Sequence, residues 1–279
     1  MAFEITYTAP LATGTAAVLV PGGMGTPHGR MTGLTAGAAR VARIREATTG
    51  QGAYIVTPDA DTLNLTFHFD HVAEPYPEAL FVPHASRFTR YADDLIVEAQ
   101  EIAGDLMGLD RARALACAAA ERFTYGHPED RFNDGLDEIP ALGCGLVEGS
   151  CVDINTYFIA ALRAAGIEAG YVTGFYFPAE KGGTCTDGHC WVVTRIDGAM
   201  QEWDIAHHLK MGTRDIHPAL NPKPGFRAAA FHAMGLRFDA FGASVIKALI
   251  EPLVLISERL EPSQTPDIRL THVGQRAAE

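Results

Sequence analysis

Long apolar runs are missing from this chain of 279 residues. Residues 16–20 are apolar but stop at Pro21-Gly22-Gly23, and residues 243–256 are interrupted by Lys247, Glu251 and Pro252. Neither stretch can span a bilayer. The first ten residues hold Glu4 and no basic segment, so no secretory signal is recognised and a cytoplasmic location is expected. Positive charge is also scarce. Lys and Arg total 22 against 34 Asp and Glu, a net charge of −12. That balance excludes nucleic acid and an anionic membrane as main partners, because both recruit basic surfaces. Cysteine is sparse and odd in number: Cys117, Cys144, Cys151, Cys185 and Cys190. Without a secretory signal, this reads as free thiols rather than a disulfide framework. Tryptophan occurs only twice, yet 47% of residues are hydrophobic and 14 are Phe, enough for an ordinary globular core and too much for a disordered chain.

No internal repeat is present, and the length allows one large domain or two. Residues 1–85 are rich in Gly, Thr, Pro and Ala and contain alternating stretches such as Leu63-Asn64-Leu65-Thr66-Phe67-His68-Phe69. Period-2 alternation between Pro-rich breaks predicts short strands and a small β-rich N-terminal domain. A weaker helical pattern covers residues 36–46. From Tyr91 the period changes. Residues 93–106 and 110–123 place apolar side chains at 3–4 spacing and predict helices, the second with an N-cap at Leu109-Asp110. Residues 151–165 predict a third helix, capped by Ser150 and stopped by Gly166. Strands are predicted at 168–177, 190–196 and 200–205, with Asp197-Gly198 as a hairpin turn. A helix is expected near residues 243–260. Residues 86–279 are read as a second domain with a C-terminal extension.

Cys151 stands at the predicted first turn of the third helix. The partial positive charge there favours a thiolate, the nucleophilic form of cysteine. A plainer reading of Cys151 is a small buried hydrophobe. His189 opens an apolar strand, and Asp204 lies 15 positions further on. Either could be an ordinary strand-end residue. A two-residue turn at Asp197-Gly198 makes paired positions sum to 395. Asp204 then becomes the diagonal neighbour of His189 on one face, about 7–8 Å away by Cα. A three-residue turn would send the two side chains to opposite faces. In the favoured register the three residues form one machine: a nucleophile, a base that returns its proton, and a carboxylate that orients the base. The Cys151 backbone N–H is a candidate oxyanion donor.

At these residues the chain resembles the transglutaminase-like superfamily. The resemblance rests on Gly149-Ser150-Cys151, Leu162-Arg163-Ala164-Ala165-Gly166-Ile167, His189-Cys190-Trp191-Val192, Asp197-Gly198 and Trp203-Asp204, in that order. It covers roughly residues 95–210, and Ile205 stands where the family commonly has Pro. The resemblance implies an α+β fold: a papain-like transglutaminase core, its nucleophile helix packed on an antiparallel sheet, preceded by the β-rich domain. It also implies a catalytic set of Cys151, His189 and Asp204, acyl transfer through a thioester, and an amide, peptide or protein substrate, with hydrolysis favoured over cross-linking.

Three rivals stand beside this reading. Cys144, Cys151, Cys185, His189, Cys190 and His207-His208 are of metal-ligand type. However, no metal-binding spacing is present, and adjacent residues on a strand diverge. No metal and no cofactor are therefore expected. A catalytically silent binding module of the same fold would carry an unreactive Cys151. Redox work by Cys144 and Cys151 lacks a redox spacing. Tyr157, Tyr171, Phe175, Tyr176 and Phe177 are candidates to line a cleft, although most are expected to be core. The oligomeric state is not encoded in any of these features.

Overall fold

The computed structural model describes residues 2–242 and 244–272. The chain opens with seven strands: β1 (Ala2–Pro10), β2 (Ala17–Pro21), β3 (Gly25–Thr26), β4 (Gly29–Thr35), β5 (Arg40–Arg45), β6 (Gly52–Thr57) and β7 (Thr62–Asp70). Two helices follow, α1 (Asp93–Ala103) and α2 (Gly108–Arg122), then two short strands, β8 (Phe123–Tyr125) and β9 (Val147–Gly149). The central block is α3 (Cys151–Ala164), β10 (Glu168–Pro178), β11 (Thr184–Cys185), β12 (Gly188–Ile196), β13 (Ala199–Trp203), α4 (Ile205–Lys210) and β14 (Gly225–His232). The last strands are β15 (Leu236–Arg237), β16 (Val245–Ile246), β17 (Leu253–Ile256), β18 (Arg259–Pro262) and β19 (Asp267–His272).

This is the expected α+β class. Helix α3 packs on the antiparallel sheet β13-β12-β10-β14 and is covered on its other side by α1 and α2. Alanines at 112, 116, 119 and 120 are buried on α2, and small side chains there let the helices approach closely. Ile154, Phe158 and Leu162 of α3 are fully buried in the same core, each worth about 1.5–3 kcal/mol of transfer free energy. Asp110 falls within the first turn of α2 rather than at its cap, which is Met107.

Alternation builds the N-terminal sheet. Phe3, Ile5 and Tyr7 of β1 and Leu63, Leu65, Phe67 and Phe69 of β7 all point inward. The two sheets of this region run β11-β19-β1-β7-β4-β3 and β18-β17-β2-β6-β5. The boundary expected near residue 85 separates β1–β7 in sequence, but both sheets also take strands from beyond it. Among them β17 pairs with β2, and β19 with β1.

Two predicted helices are strands. Residues 40–45 form β5 at a sheet edge, where Arg-Val-Ala-Arg-Ile-Arg keeps charged side chains in water. Residues 245–262 form β16 and the β17–β18 hairpin, which turns at Ser257-Glu258 with both residues at positive φ. Pro252 ends any helical continuation there. Among the described residues, no helix is long and apolar enough to cross a membrane.

Candidate active site

Ser150 caps α3 as predicted. Its Oγ accepts from the Val152 N–H (3.3 Å), and its own N–H donates to Asp153 Oδ2 (2.9 Å). Arg131 Nη1 lies 2.5 Å from that carboxylate oxygen, and Lys247 Nζ 3.8 Å from the other. The Asp153 charge is thus opposed before it can act on the neighbouring thiol. A side chain at Gly149 would meet Phe123 Cδ1 at 2.9 Å, so the loop closes on α3 only with glycine there. Cys151 follows, buried at 7% exposure, on the first turn. A hydrogen bond from Cys190 lowers its thiol pKa. Burial opposes that shift, and the His189 charge and hydrogen bond reinforce it; the net result is well below the ordinary range.

His189 lies near the start of β12, opposite Gly174 of β10. A side chain at Gly174 would meet the Ala228 carbonyl oxygen at 2.0 Å, so glycine lets β14 come in beside the site. The predicted hairpin register holds: Ile196 pairs with Ala199 and Val192 with Trp203, all summing to 395. Asp197 and Gly198 both have positive φ, as a type I′ turn requires. The expected strand geometry at Asp204 does not follow, because pairing ends at Trp203. Asp204 is instead the N-cap of α4, accepting from the His207 N–H at 2.9 Å. From that position Asp204 Oδ2 lies 2.7 Å from His189 Nε2. The contact expected from a strand diagonal is made by a helix cap.

Electrostatics around the pair are consistent. Burial disfavours the charged imidazole, but Asp204 and Cys151 more than offset it and raise the His189 pKa to about 9. Burial likewise opposes the Asp204 charge, yet Arg227 and His189 hold its pKa well below the carboxylate range. Alternation does send His189 and Cys190 to opposite faces of β12. Cys190 turns to α3, where Asn155 Nδ2 donates to its carbonyl oxygen (3.0 Å) and lies 3.3 Å from its Sγ. Cys151 sits where both neighbours act on it.

Sequence reasoning missed Arg227, and it named His207 only as a metal-ligand type and Tyr176 only as one of five cleft candidates. Arg227, buried on β14, donates to Asp204 Oδ2 and to Asn221 Oδ1 (3.0 Å). Its guanidinium lies over the rings of Tyr176 and Trp191 at 5.2 and 5.1 Å. The one available signal was an Arg between Phe226 and the apolar run Ala228-Ala229-Ala230-Phe231. The His207 ring stacks on His189 with centroids 4.4 Å apart and planes 7° from parallel. Burial lowers its pKa to about 4, so it is neutral near pH 7. Tyr176 alone of the five candidate aromatics faces the cavity; Tyr157, Tyr171, Phe175 and Phe177 are core.

His189, Asp204 and His207 place one ligand atom each within 4.8 Å of one another. Arg227 Nη2 already binds Asp204 Oδ2 and lies 3.0 Å from His207 Nδ1. A fixed cation at that point opposes a second one. Cys144 is exposed, Cys185 is buried in the β-rich core, and all five cysteines are free. His208 Nδ1–H donates to the Asp204 backbone carbonyl oxygen (2.8 Å) rather than to the carboxylate. A cavity of about 130 Å³ opens over Cys151, His189 and His207, walled by Tyr125 and Tyr176. The parallel pairing of β8 and β9 sets Tyr125 beside Gly149 and so beside the turn that carries Cys151.

Cys151 at a helix start thus stands beside His189 from an antiparallel sheet and Asp204 at a helix cap. Residues 98–203 match the family model described as the transglutaminase-like superfamily. Over nearly its whole length the chain shares its fold with a solved structure from Cytophaga hutchinsonii, described as a "Putative Cysteine Protease". The two are 12% identical, with a TM-score of 0.55 covering 97% of this chain and 98% of that one. A protein from Parabacteroides distasonis described as a "putative protease" aligns with 71% of this chain and 39% of its own, at 14% identity and a TM-score of 0.31. No curated protein matches the chain in sequence.

Proposed function

We propose that the protein is a cysteine-dependent hydrolase or acyltransferase that acts on a peptide or amide bond through a thioester acyl-enzyme. Cys151 is the nucleophile, His189 the general base and then acid, and Asp204 the residue that orients the imidazole. The observation that carries the reading is the 2.7 Å bond from His189 Nε2 to Asp204 Oδ2 beside a thiol whose pKa is lowered. With Nε2 engaged by Asp204, Nδ1 remains to exchange a proton with Cys151. A depressed thiol and a raised imidazole together favour a thiolate–imidazolium pair near neutral pH.

The thiolate attacks the carbonyl carbon. The imidazolium then protonates the leaving amine as the C–N bond breaks, giving a thioester and a free amine. Water, deprotonated by the now neutral His189, hydrolyses the thioester and restores the thiol. The Cys151 N–H at the helix start serves the developing oxyanion. The name given to the Cytophaga hutchinsonii structure supports peptide bonds as the substrate and water as the acceptor.

The test is the pH dependence of iodoacetamide labelling, mapped by mass spectrometry, on the wild type and on His189→Ala. Cys151 is expected to label fast below about pH 7, faster than Cys117, and to lose that reactivity without His189. Labelling of Cys151 no faster than Cys117 would identify a silent binding module. Cys151→Ala should abolish turnover and keep the fold.

A further inference from the structure

The chain contains only four lysines, at 181, 210, 223 and 247. Three of them, Lys181, Lys210 and Lys223, line the cavity over Cys151. Asp187 is the one carboxylate in the same lining. In a protein of net charge −12, the cleft is therefore locally cationic. Lys223 is neutralised by Glu180 at 2.7 Å. Among the described residues, neither Lys181 nor Lys210 has a carboxylate partner within ion-pair distance; the Lys210 ammonium rests over the Tyr125 ring at 4.2 Å.

Tyr125 and Lys210 also line the adjoining groove of about 540 Å³. Arg214 is the other charged residue in its wall, and no acid is among the residues lining it. A buried Nη1 of Arg214 has no hydrogen-bond partner among the described residues. An unmatched guanidinium N–H is costly, and an incoming anion would satisfy it. The two hollows share Tyr125 and Lys210; Lys181 lines the one that holds Cys151, and Arg214 the other.

We propose that the substrate is an acidic peptide, its scissile amide over Cys151, with carboxylates held by Lys181 on one side and by Lys210 and Arg214 on the other. This deepens the cysteine-hydrolase reading and rests on it. A cleft of one sign also raises the local concentration of oppositely charged substrate and makes its capture salt-dependent.

The experiment compares iodoacetate with iodoacetamide on Cys151, each rate divided by that of the exposed Cys144 in the same molecule. Iodoacetate preference at Cys151 should fall roughly fivefold in Lys181→Gln/Lys210→Gln/Arg214→Gln and shrink similarly on raising salt. A peptide alternating Glu and Ala should slow iodoacetamide labelling of wild-type Cys151, whereas its Lys counterpart should not. Fast iodoacetamide labelling with a preference that the triple variant leaves unaltered would overturn the acidic-peptide assignment and spare the nucleophile. Slow labelling by both reagents would overturn the nucleophile, and the substrate assignment with it. Circular dichroism on the variant separates loss of charge from loss of fold.

Discussion

A carboxylate with no exposed surface stays ionised only where positive partners face it. Asp204 has two, Arg227 and His189. Removing one partner of such a buried pair typically costs about 3–5 kcal/mol, because the other charge is left uncompensated. Arg227→Met should therefore lower unfolding free energy by about that amount in urea denaturation, and Arg227→Lys by less, since it keeps the charge but not the forked geometry. A loss below about 1 kcal/mol for Arg227→Met would mean that Asp204 is held by something else. Asp204 in turn acts on His189. Its charge is the leading cause that raises that pKa to about 9 against the effect of burial. Asp204→Asn should bring the His189 titration, followed by NMR of the ring protons, from about 9 down toward its ordinary 6.5. The sign for stability follows. A pKa raised in the folded state stabilises fully below 6.5, and that contribution disappears as pH rises through about 9. This part of the Asp204→Asn loss should thus be larger at pH 6 than at pH 10.

At the scale of elements, β10 and β14 approach closely because Gly174 carries no side chain. Gly174→Ala would push a methyl group into backbone, which cannot swing away, so β14 must shift and Arg227 with it. Overpacking of this kind costs about 1–3 kcal/mol. The expected outcome is a lower melting temperature together with slower Cys151 labelling at pH 7; unaltered labelling would mean that β14 does not set the geometry of the site. The elements that local signals specify were legible. Ser150 announces α3, and Asp197-Gly198 announces the β12–β13 register with its sum of 395. The His189–Asp204 contact was legible for a partly mistaken reason, since Asp204 caps a helix where a strand was expected. Strands β5 and β17 were not legible. An edge strand with solvated arginines has little alternation in burial, and the β17–β18 turn at Ser257-Glu258 lacks the Asn-Gly or Asp-Gly signal. Arg227 could not be placed from the sequence, because only the pairing of β14 with β10 brings it to Asp204.

On the scale of the whole molecule, segments distant in sequence meet beside the start of β12, and Glu251 sits at that junction. Its carboxylate lies 3.5 Å from the Tyr7 hydroxyl of β1, and the same hydroxyl contacts Ser263 from beyond β18. Asp187, just before β12, is the charged group that faces it. Burial first, and then the Asp187 charge, raise the Glu251 pKa from 4.5 to about 7. A carboxyl group whose pKa is raised by folding favours the folded state below 4.5, and that stabilisation is lost as pH climbs through about 7. Above pH 7 the junction must hold a charge that burial opposes. Glu251→Gln, which stays neutral at every pH, should therefore stabilise the protein on the order of 1–2 kcal/mol at pH 8 and have little effect at pH 4.5. Thermal unfolding of both forms across that range measures the difference. A gain that is equal at both pH values would point to packing rather than charge, and a loss at pH 8 would mean that the ionised carboxylate has a partner holding the junction together.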